Sequence, residues 1–351
     1  MKTVLRQPKR SVMLLMALLS TFVSGTVASV ERGPAAAINA TRLADHPAFQ
    51  VPSIGRTSVG LKPLTELSAT DRYKGEDGGL YGGGSNTPPA AHFAAAKAAS
   101  AAITPLNADG RPASEGAIGL VSISMSNATH EFSVFKQLAD NDVRKSPRVV
   151  IVDCAQGGQA MAQWANPDAQ AWTEADRRLA AAALGSKQVQ VAWIKLANVQ
   201  PSGDLAEHGR KLYADTRTVL QLAKKRFPNL RIAYLGSRIY AGYSNMPLNP
   251  EPYAYEGAFA VRWLIQDQIK GAAMLRYDDA GGAAQVPLLL WGPYLWADGT
   301  TPRKADGLNW QRDDLAADGT HPSESGRRKV ANMLLDYFTT DALAKIWFTI
   351  R

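Results

Sequence analysis

Five short runs of consecutive apolar residues punctuate the chain between residue 118 and residue 290. They are Ile118–Ile123, 148–152, 189–196, 231–235 and 286–290. Each is continuous rather than alternating, the pattern of a strand covered on both faces. Between them lie stretches with helical spacing. Phe132, Phe135 and Leu138 fall on one helical face, and Thr173 with Asp176 reads as a capping box opening a helix to Leu184. Asp204 to Arg226 reads as a long helix closed by Pro228, and Tyr255 to Ile269 as one stopping at Gly271. Ser323 to Phe338 and Asp341 to Phe348 finish the chain as helices. Strand and helix alternating five times predict an α/β fold. The expected form is a three-layer α/β/α sandwich on a mainly parallel five-stranded sheet.

Upstream the pattern changes. Residues 29–117 read as an N-terminal extension, irregular and rich in Ala, Gly, Pro and Thr, with one alanine-rich helix over 90–102 behind Pro88 and Pro89. Its glycine-rich piece, Asp77 to Asn86, lacks the Gly-Lys-Ser/Thr ending of a phosphate loop and reads as a packing or surface loop. Residues 118–351 are expected to form the α/β domain.

Charge and composition narrow the class. Lys2, Arg6, Lys9 and Arg10 precede the apolar run Val12 to Val27, and no acid occurs before Glu31. Residues 1–28 therefore read as a cleaved signal peptide, and the mature protein as secreted or periplasmic with no stable membrane insertion. Those four residues carry half of the formal net charge of +8. What remains is modest and forms no basic stripe, so no nucleic-acid partner is expected. The lone cysteine, Cys154, excludes a disulfide framework. The five histidines show no metal-ligand spacing, and neither metal nor cofactor is expected.

In open α/β sheets the ligand sits outside the carboxyl ends of the strands, so those ends carry the chemistry. Ser124-Met125-Ser126-Asn127 follows the first strand, where a serine hydroxyl and helix N-terminal amides converge. Gly157-Gly158 follows the second and lets a backbone N–H approach a substrate oxygen. Asn198 follows the third and offers an amide to an oxyanion. After the fifth comes a long loop with Trp291, Trp296 and Trp310, ending in Asp318-Gly319-Thr320-His321-Pro322. There a carboxylate three residues before a histidine on a tight turn can fix the imidazole as a general base.

The order Ser, Gly, Asn, then Asp-x-x-His resembles the SGNH (GDSL-type) hydrolase superfamily. The segment Ser-Met-Ser-Asn-Ala-Thr-His-Glu-Phe is similar to an uncharacterised bacterial branch of it. The resemblance covers roughly residues 118 to 338. It implies a flavodoxin-like fold and metal-free ester hydrolysis. Ser126 would be the nucleophile, His321 the base and Asp318 its orienter, with Gly158 and Asn198 as oxyanion donors. Three positions depart from the family pattern: Ser124 stands where glycine is usual, Asp153 where asparagine is, and Leu196-Ala197-Asn198-Val199 replaces Gly-x-Asn-Asp. Export and the aromatic loop point to an extracellular ester such as an acylated carbohydrate, with Trp291, Trp296 and Trp310 stacking on sugar. A non-catalytic or glycan-binding protein on a hydrolase scaffold, and an acyltransferase using the same triad, are the alternatives.

Overall fold

The computed structural model describes residues 55–350; the leader expected over 1–28 lies outside them. Five strands form one sheet: β1 (Ile118–Ile123), β2 (Val149–Asp153), β3 (Val189–Lys195), β4 (Ile232–Gly236) and β5 (Leu288–Trp291). Their order is β2-β1-β3-β4-β5, and every pair is parallel. That is the flavodoxin-like order, with its topological switch between β1 and β3. All residues of β1, β3, β4 and β5 are buried, as their continuous apolar runs require.

The longer helices are α1 (Ala90–Ala101), α2 (Ser126–Asp140), α4 (Gln170–Ala181), α5 (Leu205–Arg226), α6 (Tyr253–Ile269) and α7 (Glu324–Thr340); α3 (Met161–Trp164) and α8 (Lys345–Phe348) are single turns. Helices α2 and α7 pack on each other, and α5 packs on α6. The first helix of the α/β region begins at Ser126 itself, at the strand-to-helix turn read from the sequence and six residues ahead of its apolar face. One start differs from expectation. Helix α4 begins at Gln170, without a side-chain cap, so Thr173 and Asp176 lie inside it and form no capping box. Asp204 and Ser323 do cap α5 and α7, accepting from the N–H groups of Glu207 and Gly326.

The described residues from 55 onward belong to one compact unit, and packing is continuous across residue 117. Leu64, Leu67, Leu80 and Ala96 sit in the same core as the sheet. Helix α1 lies against β4 and β5. Its His92 meets the Leu289 carbonyl through Nε2 at 2.9 Å, while Gln268 of α6 accepts the Leu289 N–H at 2.7 Å. The outer backbone of the edge strand is thereby covered. In the glycine-rich loop, a Cβ at Gly78 would run into the Leu67 carbonyl, so that glycine serves close packing.

Buried charges fasten this segment. Asp298 accepts from Ser58 Oγ at 2.5 Å and from the N–H groups of Val59 and Gly60 at 2.7 and 3.1 Å. Arg262 of α6, 1% exposed, pairs with Glu76 and donates to the Asp77 carbonyl at 2.6 Å. Removing Arg262 leaves the Asp77 carbonyl without its donor and the Gly79 carbonyl with the Gly82 N–H alone. Charge-assisted bonds contribute about 1.5–3 kcal/mol, so Arg262→Ala should lower stability by about that amount. It should also speed limited proteolysis within 73–84. Unchanged melting and cleavage would refute the clasp.

Candidate active site

The site is assembled at the carboxyl end of the sheet, where β1, β3 and β4 hand over to loops. Ser126 is the first residue of α2, directly after β1. At this position its N–H has no intrahelical acceptor. Ser126 Oγ lies 2.8 Å from His321 Nε2, and His321 Nδ1 lies 2.5 Å from Asp318 Oδ2. The other carboxylate oxygen, Oδ1, accepts the N–H groups of Thr320 at 2.9 Å and His321 at 3.0 Å. Burial alone would push the Asp318 carboxyl up. The hydrogen bonds from the His321 ring and from these two amides outweigh it and hold Asp318 below the usual carboxylate range. An ionised Asp318 facing Nδ1 keeps the proton there and leaves Nε2 as an acceptor towards Ser126.

The local sequence explains the turn. Gly319 has φ +62°, and a Cβ there would collide with the Tyr243 carbonyl, so only glycine fits. Leu315 bridges to Pro322, closing the loop ahead of α7. The loop after β4 backs the turn: the Asn245 N–H donates to the Asp318 carbonyl at 3.1 Å, and Ser244 Oγ meets Thr320 Oγ1 at 2.6 Å.

Gly158 sits in an exposed turn after β2, at φ +75°. Among the described residues, neither its N–H nor that of Ser126 has a hydrogen-bond acceptor. Asn198 differs. Its Oδ1 accepts the Ala162 N–H at 2.9 Å and its Nδ2 donates to Asp215 Oδ2 at 2.6 Å. One of its two amide hydrogens is therefore committed to α5, and only the other is available to a ligand. Ser124, in place of the usual glycine, is buried and donates to the Lys195 carbonyl. Asp153 accepts from Ser122 and Thr129 hydroxyls at 2.5 Å each. Burial drives its carboxyl upward against those bonds.

The three tryptophans are not a sugar-binding surface. Trp291, Trp296 and Trp310 are 4%, 0% and 0% exposed. Their indole N–H groups donate to the Leu80 carbonyl, Glu251 Oε1 and the Leu295 carbonyl at 2.7, 2.8 and 2.9 Å. The apolar long loop folds inward because it has residues 55–89 to pack against. Trp310→Ala should therefore cost about 3–5 kcal/mol of stability, as large-to-small changes in a core do. Its effect on saccharide-ester KM should be small, and thermal melts with parallel kinetics check both halves.

Sequence reading missed the polar layer beneath the triad. Glu131 of α2 and Lys195 of β3 are both fully buried, with Lys195 Nζ 2.6 Å from each carboxylate oxygen. Burial dominates both groups, lowering the Lys195 ammonium to about 8 and raising Glu131. Arg238, 2% exposed, follows β4 and donates through Nη2 to the Thr320 carbonyl at 3.3 Å. The His130 ring, one helical turn after Ser126, lies 5.6 Å from that of His321. The one available signal is a charged pair, Glu131 and Lys195, inside segments otherwise patterned as core.

Among the described residues no group of His, Cys, Asp and Glu could hold a metal ion, and no helix is long and apolar enough to cross a membrane. No family model matches the sequence, and no curated protein matches it. Several solved structures are similar in fold. One from Bacteroides fragilis NCTC 9343, provisionally described as an acylhydrolase, is 12% identical with a TM-score of 0.37, covering 73% of this chain and 100% of its own. The periplasmic domain of a lipopolysaccharide acetyltransferase from Salmonella ser. Paratyphi A is 12% identical with a TM-score of 0.34, covering 63% and 83%. A salicylyl-acyltransferase from a tetracycline biosynthetic pathway is 12% identical with a TM-score of 0.31, covering 66% and 58%. At such values nothing about activity passes from them to this chain.

Proposed function

We propose that the chain is a serine esterase of the SGNH type that hydrolyses carboxylic esters through an acyl-enzyme. The observation that carries the reading is the unbroken chain of contacts from Ser126 Oγ to His321 at 2.8 Å and from His321 to Asp318 at 2.5 Å. His321 Nε2 takes the Ser126 proton as Oγ attacks the ester carbonyl. The developing oxyanion is met by the N–H groups of Ser126 and Gly158, with the free Asn198 amide hydrogen as a third donor. His321 returns the proton to the departing alcohol. It then activates a water, which releases the acid and frees Ser126. Asp318 keeps the imidazole in the accepting tautomer and stabilises the imidazolium.

Export through residues 1–28, and an acylated extracellular substrate, belong to this reading on the strength of the leader pattern alone. The buried tryptophans remove the stacking argument for a sugar. The test is direct. A fluorophosphonate probe should label the purified protein once, on the peptide bearing Ser126, and the labelled protein should lose p-nitrophenyl acetate turnover. Labelling that persists in Ser126→Ala, or turnover that survives full labelling, would rule the assignment out.

A further inference from the structure

The structure assigns to Asn127 and Arg238 the role of positioning residues. Together they clamp the carbonyl of Thr320 and so set the distance between the helix that carries Ser126 and the turn that carries His321. The inference rests on Ser126 and His321 acting as a pair, as proposed above. Asn127 follows Ser126 in α2, and Thr320 precedes His321. The Asn127 Nδ2 donates to the Thr320 carbonyl at 2.8 Å, and Arg238 Nη2 donates to the same oxygen at 3.3 Å.

Thr320, Asn127 and Arg238 are 1%, 1% and 2% exposed. Water is thus poorly placed to replace either donor, and an unmet buried carbonyl is costly. The remaining polar contacts of Thr320 and Asp318 run within the turn or to the loop after β4, through Ser244 and Asn245. Besides the Ser126–His321 contact itself, the Asn127 bond is, among the described residues, the hydrogen bond that ties this turn to α2. It operates one residue away from the reacting atoms on both sides. A shift of the helix start relative to the turn is therefore felt at once in the 2.8 Å Ser126–His321 contact. Misplacement by about 1 Å can cost roughly 10²-fold in rate.

Two variants test this. Asn127→Ala removes the donor. Asn127→Asp keeps the shape and places a carboxylate oxygen against the Thr320 carbonyl. Both are checked for folding by circular dichroism, and the alanine variant decides the matter if the aspartate variant does not fold. Positioning predicts kcat on p-nitrophenyl acetate lowered about 10- to 100-fold, with KM within about twofold. A second readout does not depend on activity. In a Ser126→Ala background, the low-field proton resonance of His321 Nδ1–H should broaden or vanish when Asn127→Ala is added. A folded Asn127→Ala variant with wild-type kcat and an unchanged resonance overturns the clamp. If the wild type itself shows no Ser126-dependent turnover, the esterase reading fails. The resonance then decides the clamp, upholding it if lost and overturning it if retained.

Discussion

On the proposed mechanism, Ser126→Ala should abolish covalent turnover, and His321→Ala should lower kcat on aryl acetates by roughly 10⁴-fold or more, the scale seen when one member of such a unit is removed. The expectation follows from the contacts. With His321 Nε2 at 2.8 Å from Oγ there is, among the described residues, one proton acceptor in hydrogen-bond reach of the hydroxyl, and Lys195 is held in its pair with Glu131. The double variant Ser126→Ala/His321→Ala should be no slower than Ser126→Ala alone, because the two act as one unit. Additive losses would mean that His321 serves another group. Asp318→Asn should fall by about 10³–10⁴-fold, since an amide no longer holds the accepting tautomer.

Asp318 also fixes a pH dependence. Its folded-state pKa is depressed, so the stability it contributes is complete above its unfolded value of about 3.9 and is lost as pH falls through the folded one. The base turn should therefore hold its structure to below about pH 4. Stopped assays returned to neutral pH after acid exposure measure this.

The sheet was legible in the chain because its strands are buried on both faces and are written as unbroken apolar runs. The five runs and the five strands coincide within one or two residues. The meeting of Ser126 with the 318–321 turn could also be read, because both lie where strands end and loops begin. What could not be read was anything decided by tertiary cover. Trp291, Trp296 and Trp310 look like a surface platform until residues 55–89 are seen packed with them in one core. Asn198 carries the right amide for an oxyanion, but its pairing with Asp215 joins residues 17 apart through the packing of α5. The first turn of α2 gives no periodic signal, because Ser126 and Asn127 are polar, and its start is marked instead by the end of β1.

The second large effect concerns the buried pair under the site. Glu131→Leu or Lys195→Met alone should cost about 3–5 kcal/mol, because each leaves its partner as an unpaired charge in a site with no exposure. Lys195 feels this more sharply, since Arg238 lies close enough to oppose its charge once Glu131 is gone. The combined variant Glu131→Leu/Lys195→Met should recover most of that loss. The Coulombic attraction of such a pair little more than repays its desolvation, and replacement by apolar side chains is often neutral or better. Urea unfolding of the four proteins gives the coupling energy directly. Recovery of stability without recovery of kcat would mean that the pair is kept for the electrostatics of the neighbouring His321 and Arg238. Recovery of both would mean that the fold alone uses it. A double variant no more stable than the singles would show that the pair is itself a net source of stability, contrary to the desolvation argument.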